Sequence, residues 1–234
     1  MKRPFRRLLR LILLSPLIFI AVTVLWVAAL KYVNVPFTPL MVRRAIEFRA
    51  EEGFKTHYHW VPLEQINPTM VKAVMSSEDN LFPKHDGFDR KAIQKAIEEH
   101  KAGKRQRGGS TISQQTAKNV FTRGKSTWVR KGFEAYFTVL IEKIWGKERI
   151  MEVYLNIAEM GKGVFGVEAA SQIYFHKSAA KLTRREACLI AAVLPSPIKR
   201  NAGNPSKYVS SRATAIAWLI PKISYPDWIN RKKN

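Results

Sequence analysis

The sequence holds one cysteine, Cys188, so no internal disulfide can form. It lies in the apolar run EACLIAAVL, where it reads as a small buried hydrophobe rather than a nucleophile. No Cys/His cluster has the spacing of a zinc site, and no D-x-D pair offers the carboxylates of a metal-dependent nucleotide-sugar transferase. Internal repeats and low-complexity tracts are missing. Period-2 alternation is scarce, with only KTHYHWVPL (55–63) reading as extended, so the domain reads as mostly α. Acidic residues are few. Against 40 Lys+Arg stand 18 Asp+Glu, a net charge of +22 in 234 residues, which calls for nucleic acid, anionic lipid or a phosphorylated substrate as partner. The hydrophobic fraction of 46% and the six Trp exclude a disordered chain.

Charge itself is absent from Leu11 to Leu30. A helix of that length covers the roughly 30 Å hydrocarbon core of a bilayer. Lys2, Arg3, Arg6, Arg7 and Arg10 precede it without an acidic residue, which puts the N-terminus in the cytoplasm and the rest outside. The apolar stretch exceeds a usual signal-peptide core and ends in AALKY without an A-x-A site, so it reads as an uncleaved anchor. The expected organisation is a basic tail (1–10), an anchor (11–30), a Pro-punctuated connector near the headgroups (31–49) and one domain (50–234). Without the tail, 35 Lys+Arg still face 18 Asp+Glu. A nucleic-acid binder is badly placed there, whereas a domain working on a phosphate-bearing lipid is well placed.

Beyond the connector the sequence reads as helix after helix. Asn67-Pro68 is a cap and first-turn start for PTMVKAVMSSED. Asp89 caps RKAIQKAIEEHKA, with Gly103 as its stop. A long amphipathic helix, TWVRKGFEAYFTVLIEKIW, ends at Gly146, and KERIMEVYLNIAEM and VEAASQIYF follow. Thr183 and Glu186 form a capping box opening a buried helix that Pro195 stops, and Asn204-Pro205 starts the last one. The fold class is mostly α.

Four polar clusters interrupt the apolar pattern. EDNLFPKHDGFD (78–89) sets Glu78 behind Val71, Val74 and Met75, where apolar packing can raise a carboxylate toward the range of a general base; alone, the stretch reads more readily as a solvated helix end. GGSTISQQTAKN (108–119) has glycines that allow close backbone approach and Ser110 as a helix cap beside Thr111. Thr111, Gln115, Lys118 and Asn119 then share one helix face, suited to a polar, negatively charged ligand. In KSTWVRKGFE, Arg130 and Glu134 are one turn apart with Lys125 and Lys131 near, which is either a surface ion pair or a guanidinium and carboxylate in one site. The glycines of GKGVFG (161–166) read as a tight scaffold loop.

These clusters, in this order, resemble the glycosyltransferase family of peptidoglycan synthesis, which includes the transglycosylase module of bifunctional penicillin-binding proteins. The resemblance is carried by EDNLFPKHDGFD, GGSTISQQTAKN, RKGFE (130–134), KERIMEVYLN (147–156), GVFGVEAAS (163–171) with YFHK (174–177), and EACLIAAVLPSP (186–197). The chain stops at Asn234 and holds no K-T-G or S-D-N, and its S-x-x-K matches at 178–181 and 196–199 fall in unsuitable places, so a monofunctional member is expected.

The resemblance implies a lysozyme-like, mostly helical domain that polymerises lipid II. The 4-hydroxyl of an acceptor GlcNAc would attack C1 of the donor MurNAc with inversion and expel undecaprenyl diphosphate. It implies Glu78 as base and Glu134 as the second carboxylate, with Lys118 and Arg130, helped by Lys125, on the diphosphate. Ser110, Thr111, Gln115 and Asn119 would contact sugar or phosphate, while Asp79, His85 and Asp89 hold the loop. Family members often carry arginine where Lys125 aligns, and lysine lacks that bidentate fork. A divalent cation, Mg or Mn, at the diphosphate is left open, as are other cell-wall synthases as partners; lipid II, the growing glycan and membrane lipid are expected. The expected location is the bacterial inner membrane, single-pass, with the catalytic domain in the periplasm. A non-catalytic lipid II-binding or scaffolding protein is the alternative, which the complete set Glu78, Lys118, Arg130 and Glu134 argues against. A lytic enzyme on the same fold would need an acid for a sugar leaving group.

Overall fold

The computed structural model describes residues 3–103, 109–122, 124 and 127–230. The uncharged N-terminal stretch lies within one helix, α1 (Arg3–Tyr32), of which Leu13–Tyr32 is long and apolar enough to cross a membrane. Leu13, Leu17, Ile18, Val22 and Leu25 are exposed along it, whereas Thr23 and Val27 are buried. They are buried because the C-terminal half of α1 docks on α6 (Trp128–Ile144). The Thr23 hydroxyl bonds that of Tyr136 at 2.7 Å, and the Trp145 indole N–H donates to the Val27 carbonyl at 2.7 Å. Arg149 Nη2 donates to the carbonyls of Leu30 and Val33 at 3.0 and 2.7 Å, capping groups that a helix end leaves unpaired. Helix α1 is thus fastened to the rest of the chain one turn after another.

The connector holds a further helix, α2 (Pro39–Glu47), which the sequence analysis left as a linker. Thr38 caps it, Pro39 opens it, and Met41 is buried. The core comprises α3 (Pro68–Glu78), α5 (Ile112–Phe121), α7 (Gly146–Ile157) and α9 (Arg184–Val193). From Ala187 to Val193 every residue of α9 is buried, as expected of a helix apolar on all sides. Leu189 and Ile190 there each contribute about 1.5–3 kcal/mol of burial. Helix α10 (Lys207–Leu219) covers α9, and α8 (Val167–Phe175) closes the far side. Helix α4 (Arg90–Lys101) lies outside the core, with none of its described side chains buried.

Three strands form one small sheet: β1 (His57–Tyr58), β2 (Glu159–Gly161) and β3 (Val164–Phe165), in the order β1-β3-β2. Strand β1 runs parallel to β3, with His57 opposite Val164, and β2 pairs antiparallel to β3. The sequence placed β1 but not the hairpin: α7 stops at Ile157, so Glu159 and Met160 leave the expected helix for β2. Asn156 pins this corner, accepting the Val61 N–H and donating to the Val61 carbonyl, both at 2.9 Å. Gly166 follows β3 at φ +82°, where a Cβ would stand 2.4 Å from the Asn156 carbonyl oxygen, so no other residue fits. Two helix starts also shift. Thr111, not Ser110, caps α5 in a capping box with Gln114, and Ser206 rather than Asn204 caps α10.

Candidate active site

The last residue of α3 is Glu78, behind Val74 and Met75, which have no exposure. Its side chain keeps 11% of its surface. Glu78 Oε2 accepts Gln115 Nε2 at 3.1 Å, and Ser77 Oγ donates to Oε1 at 3.3 Å. Arg212 of α10 donates to Ser77 Oγ at 3.0 Å and stands 3.9 Å from Glu78 Oε1. Burial raises the pKa of Glu78, while Gln115, Arg212 and Ser77 pull it back. The result is a carboxylate of increased basicity with a tuning cation.

The adjacent Asp79 is fully occupied. It accepts the backbone N–H of Ile112 at 3.0 Å, tying α3 to the start of α5, and its other contact is His85 Nε2 at 3.0 Å. His85 Nδ1 accepts the Gly87 N–H at 3.1 Å, so the ring proton sits on Nε2 and donates to Asp79. Asp89 Oδ1 accepts the Ala92 N–H and caps α4. The Thr111 hydroxyl is also committed, donating to the Gly87 carbonyl at 2.6 Å and accepting the Gln114 N–H.

The Gln115–Glu78 hydrogen bond links the walls of two cavities. The first, about 440 Å³, is lined by Gln115, Lys118, Asn119, Arg130, Arg43 and Glu159 among others. The second, about 270 Å³, is lined by Ser77, Glu78, Asp79, Asp89, Ser110 and Thr111. Most of the expected site residues thus line either a cationic chamber or an acidic, hydroxyl-lined one, while Glu134 and His85 lie behind them in neither lining. Lys125 lies outside the described residues.

In the cationic chamber burial depresses the pKa of Lys118, Glu134 opposes that, and Arg130, Lys131 and Arg43 reinforce it. Glu134, 3% exposed, meets Arg130 Nη1 at 2.5 Å and Lys131 Nζ at 2.9 Å. Arg130 Nε, Arg212 Nε and Glu134 Oε1 are buried without a hydrogen-bond partner among the described residues, although Arg130 Nη1 lies within ion-pair distance of that carboxylate oxygen. A carboxylate carrying two cations is a poor ligand for a resident divalent ion, and no three His, Cys, Asp or Glu converge among the described residues.

Sequence reasoning missed several members of the site. Tyr154 is buried with its hydroxyl 3.4 Å from Gln115 Oε1. Glu159 is clasped by Arg44, whose Nε lies 3.0 Å from Oε1 and whose Nη2 lies 3.1 Å from Oε2. Arg212 reaches Ser77 across 135 residues of sequence. Only Tyr154 had a signal, as a polar-tipped ring inside KERIMEVYLN.

Comparison with known proteins gives a consistent family. The transglycosylase family profile matches residues 47–219. A biosynthetic peptidoglycan transglycosylase of Bdellovibrio bacteriovorus is 50% identical over 227 residues, 95% of this chain and 91% of that protein. Proteins of the same name from Caulobacter vibrioides (49% identical; 92% of this chain, 93% of that one) and Bacteroides thetaiotaomicron (48%; 93% and 88%) are similarly close.

Proposed function

The chain belongs to the transglycosylase family and is an enzyme of peptidoglycan synthesis, and from that premise we propose that it polymerises lipid II by inverting displacement at the donor MurNAc C1. The observation that carries the reading is the pair of cavities joined through the Gln115–Glu78 hydrogen bond, with a desolvated carboxylate lining one and cations lining the other. Inversion needs a base and a leaving group on opposite faces of the reacting carbon, with room for the nucleophile beside the base.

In this scheme the acceptor GlcNAc sits in the acidic chamber against Ser77, Ser110 and Glu78. Glu78 takes the proton of its 4-hydroxyl as the new bond to C1 forms and the bond from C1 to the diphosphate oxygen breaks. The diphosphate departs with its charge and needs no acid. Lys118 and Arg130 stabilise that charge, with Asn119 beside them on the same wall. Charge-assisted hydrogen bonds of this kind contribute about 1.5–3 kcal/mol each. Glu134 works through Arg130, holding the guanidinium in one orientation. Gln115, bonded to both Glu78 and Tyr154, positions the base. No step is routed through a metal ion.

The apolar helix α1 serves as the single membrane anchor, and the basic residues before it support a cytoplasmic N-terminus with the catalytic domain in the periplasm of the inner membrane. Docked beside α1, α6 leaves Trp128, Val129 and Phe133 exposed, as a surface meeting lipid would. The test is incubation of the full chain with labelled lipid II in detergent. A polymer digestible by lysozyme, released with undecaprenyl diphosphate, is expected; substrate recovered unchanged overturns the reading.

A further inference from the structure

Helix α2 precedes almost all of the stretch matched by the family profile, which begins at residue 47, yet its Pro39, Leu40, Arg43 and Arg44 line the cationic chamber. It is built into the fold. Val35, Thr38 and Met41 are buried, and the Tyr58 hydroxyl donates to the Val35 carbonyl. Arg44 is spent on Glu159 and on Glu47 at 2.7 Å. Arg43, the next residue back, is exposed and lines the same chamber, and no carboxylate pairs with it among the described residues. The acids that could neutralise it are taken, Glu159 by Arg44 and Glu134 by Arg130 and Lys131. The outer edge of α2 is apolar: Val42 and Ile46 are exposed one turn apart, with Phe37 just before the helix. A short helix with an apolar edge, directly after a membrane helix, lies where the head of a lipid-linked substrate meets the bilayer surface.

We propose that Arg43 is a third cationic contact for the diphosphate of a polyprenyl diphosphate-linked substrate, so that the anchor-proximal segment completes the binding site. The inference rests on the lipid II reading for its substrate class. A guanidinium offers phosphate a paired set of N–H donors, and placing it on α2 couples seating of the anchor to grip on the leaving group.

The experiment uses the full chain in detergent, with Arg43→Ala, Arg43→Lys and Arg49→Ala. Arg49 is an exposed arginine just past α2 that does not line the chamber, so its loss changes membrane charge equally. Two readouts are taken: the dissociation constant for farnesyl diphosphate by titration calorimetry, and KM and kcat with lipid II. Arg43→Ala is expected to weaken farnesyl diphosphate binding about tenfold or more and to raise KM more than it lowers kcat. Arg43→Lys should recover part of the loss, and Arg49→Ala should stay within about twofold of wild type. Wild-type affinity in Arg43→Ala, or an equal loss in Arg49→Ala, overturns the proposal. A wild-type chain that binds farnesyl diphosphate but makes no polymer sinks the polymerase reading instead, and the binding comparison still decides Arg43.

Discussion

Replacing Asp79 by alanine separates two neighbouring carboxylates to which the structure gives different work. The Asp79 side chain, 3% exposed, accepts the Ile112 N–H and the His85 Nε2–H, each at 3.0 Å. Two hydrogen bonds to a charged acceptor are worth about 1.5–3 kcal/mol each, and no longer burying a carboxylate offsets part of that, so the loss should be near 3 kcal/mol. Against a typical total of about 5–15 kcal/mol this is a large fraction. Asp79→Asn should lose less, about 1–2 kcal/mol, because its amide oxygen still accepts the Ile112 N–H. Its amide N–H groups then face His85 Nε2, which can accept only by changing tautomer and giving up the Gly87 N–H. Guanidinium unfolding in detergent, followed by tryptophan fluorescence, reads both values. Polymerisation by Asp79→Asn, assayed well below its unfolding midpoint, should persist. An alanine variant within about 1 kcal/mol of wild type, or an asparagine variant as damaged as alanine, would refute the assignment of Asp79 as a strut.

The remaining predictions concern the base and the sheet corner. Because burial raises the pKa of Glu78, the rate should rise with pH through a limb lying above the ordinary glutamate value, and Arg212→Ala, which removes a cation holding that pKa down, should move the limb further up. A pH–rate profile of kcat/KM in which Arg212→Ala moves the limb down, or not at all, contradicts this. Gly166→Ala should fail to accumulate as folded protein or lose several kcal/mol, since the new Cβ meets the Asn156 carbonyl carbon at 3.0 Å and its oxygen closer still; a near-wild-type melting temperature would count against the corner as described.

Much of the fold was legible because its signals are local. Asn67, Asp89 and the Thr183/Glu186 pair cap the helices they were read to cap, since capping is decided within one turn of chain. The charge-free stretch announced α1 for the same reason. Strands β2 and β3 were not legible: at three and two residues they are too short for alternation to register, and the other neighbour of β3, strand β1, comes from His57–Tyr58 about a hundred residues earlier. Helix α2 carried a readable Thr38-Pro39 start that the prolines around it masked. In the site, Arg130 and Glu134 could be paired from their spacing, but the burial of Glu134 could not. Arg212 and Arg43 were invisible in the sequence because nothing local distinguishes an arginine on a solvated face from one brought to the cleft by tertiary packing.

The central claim is that Glu78 is the base, and Glu78→Gln in the lipid II polymerisation assay addresses it most directly. A raised folded pKa means that the ionised carboxylate is disfavoured by burial, so the stability Glu78 contributes is present at low pH and lost as pH rises through that pKa. The glutamine variant should therefore be at least as stable as wild type at pH 8, and any loss of rate is chemical. A folded variant that binds farnesyl diphosphate like wild type and makes no detectable glycan is expected. Glycan formed at the wild-type rate by Glu78→Gln would contradict it.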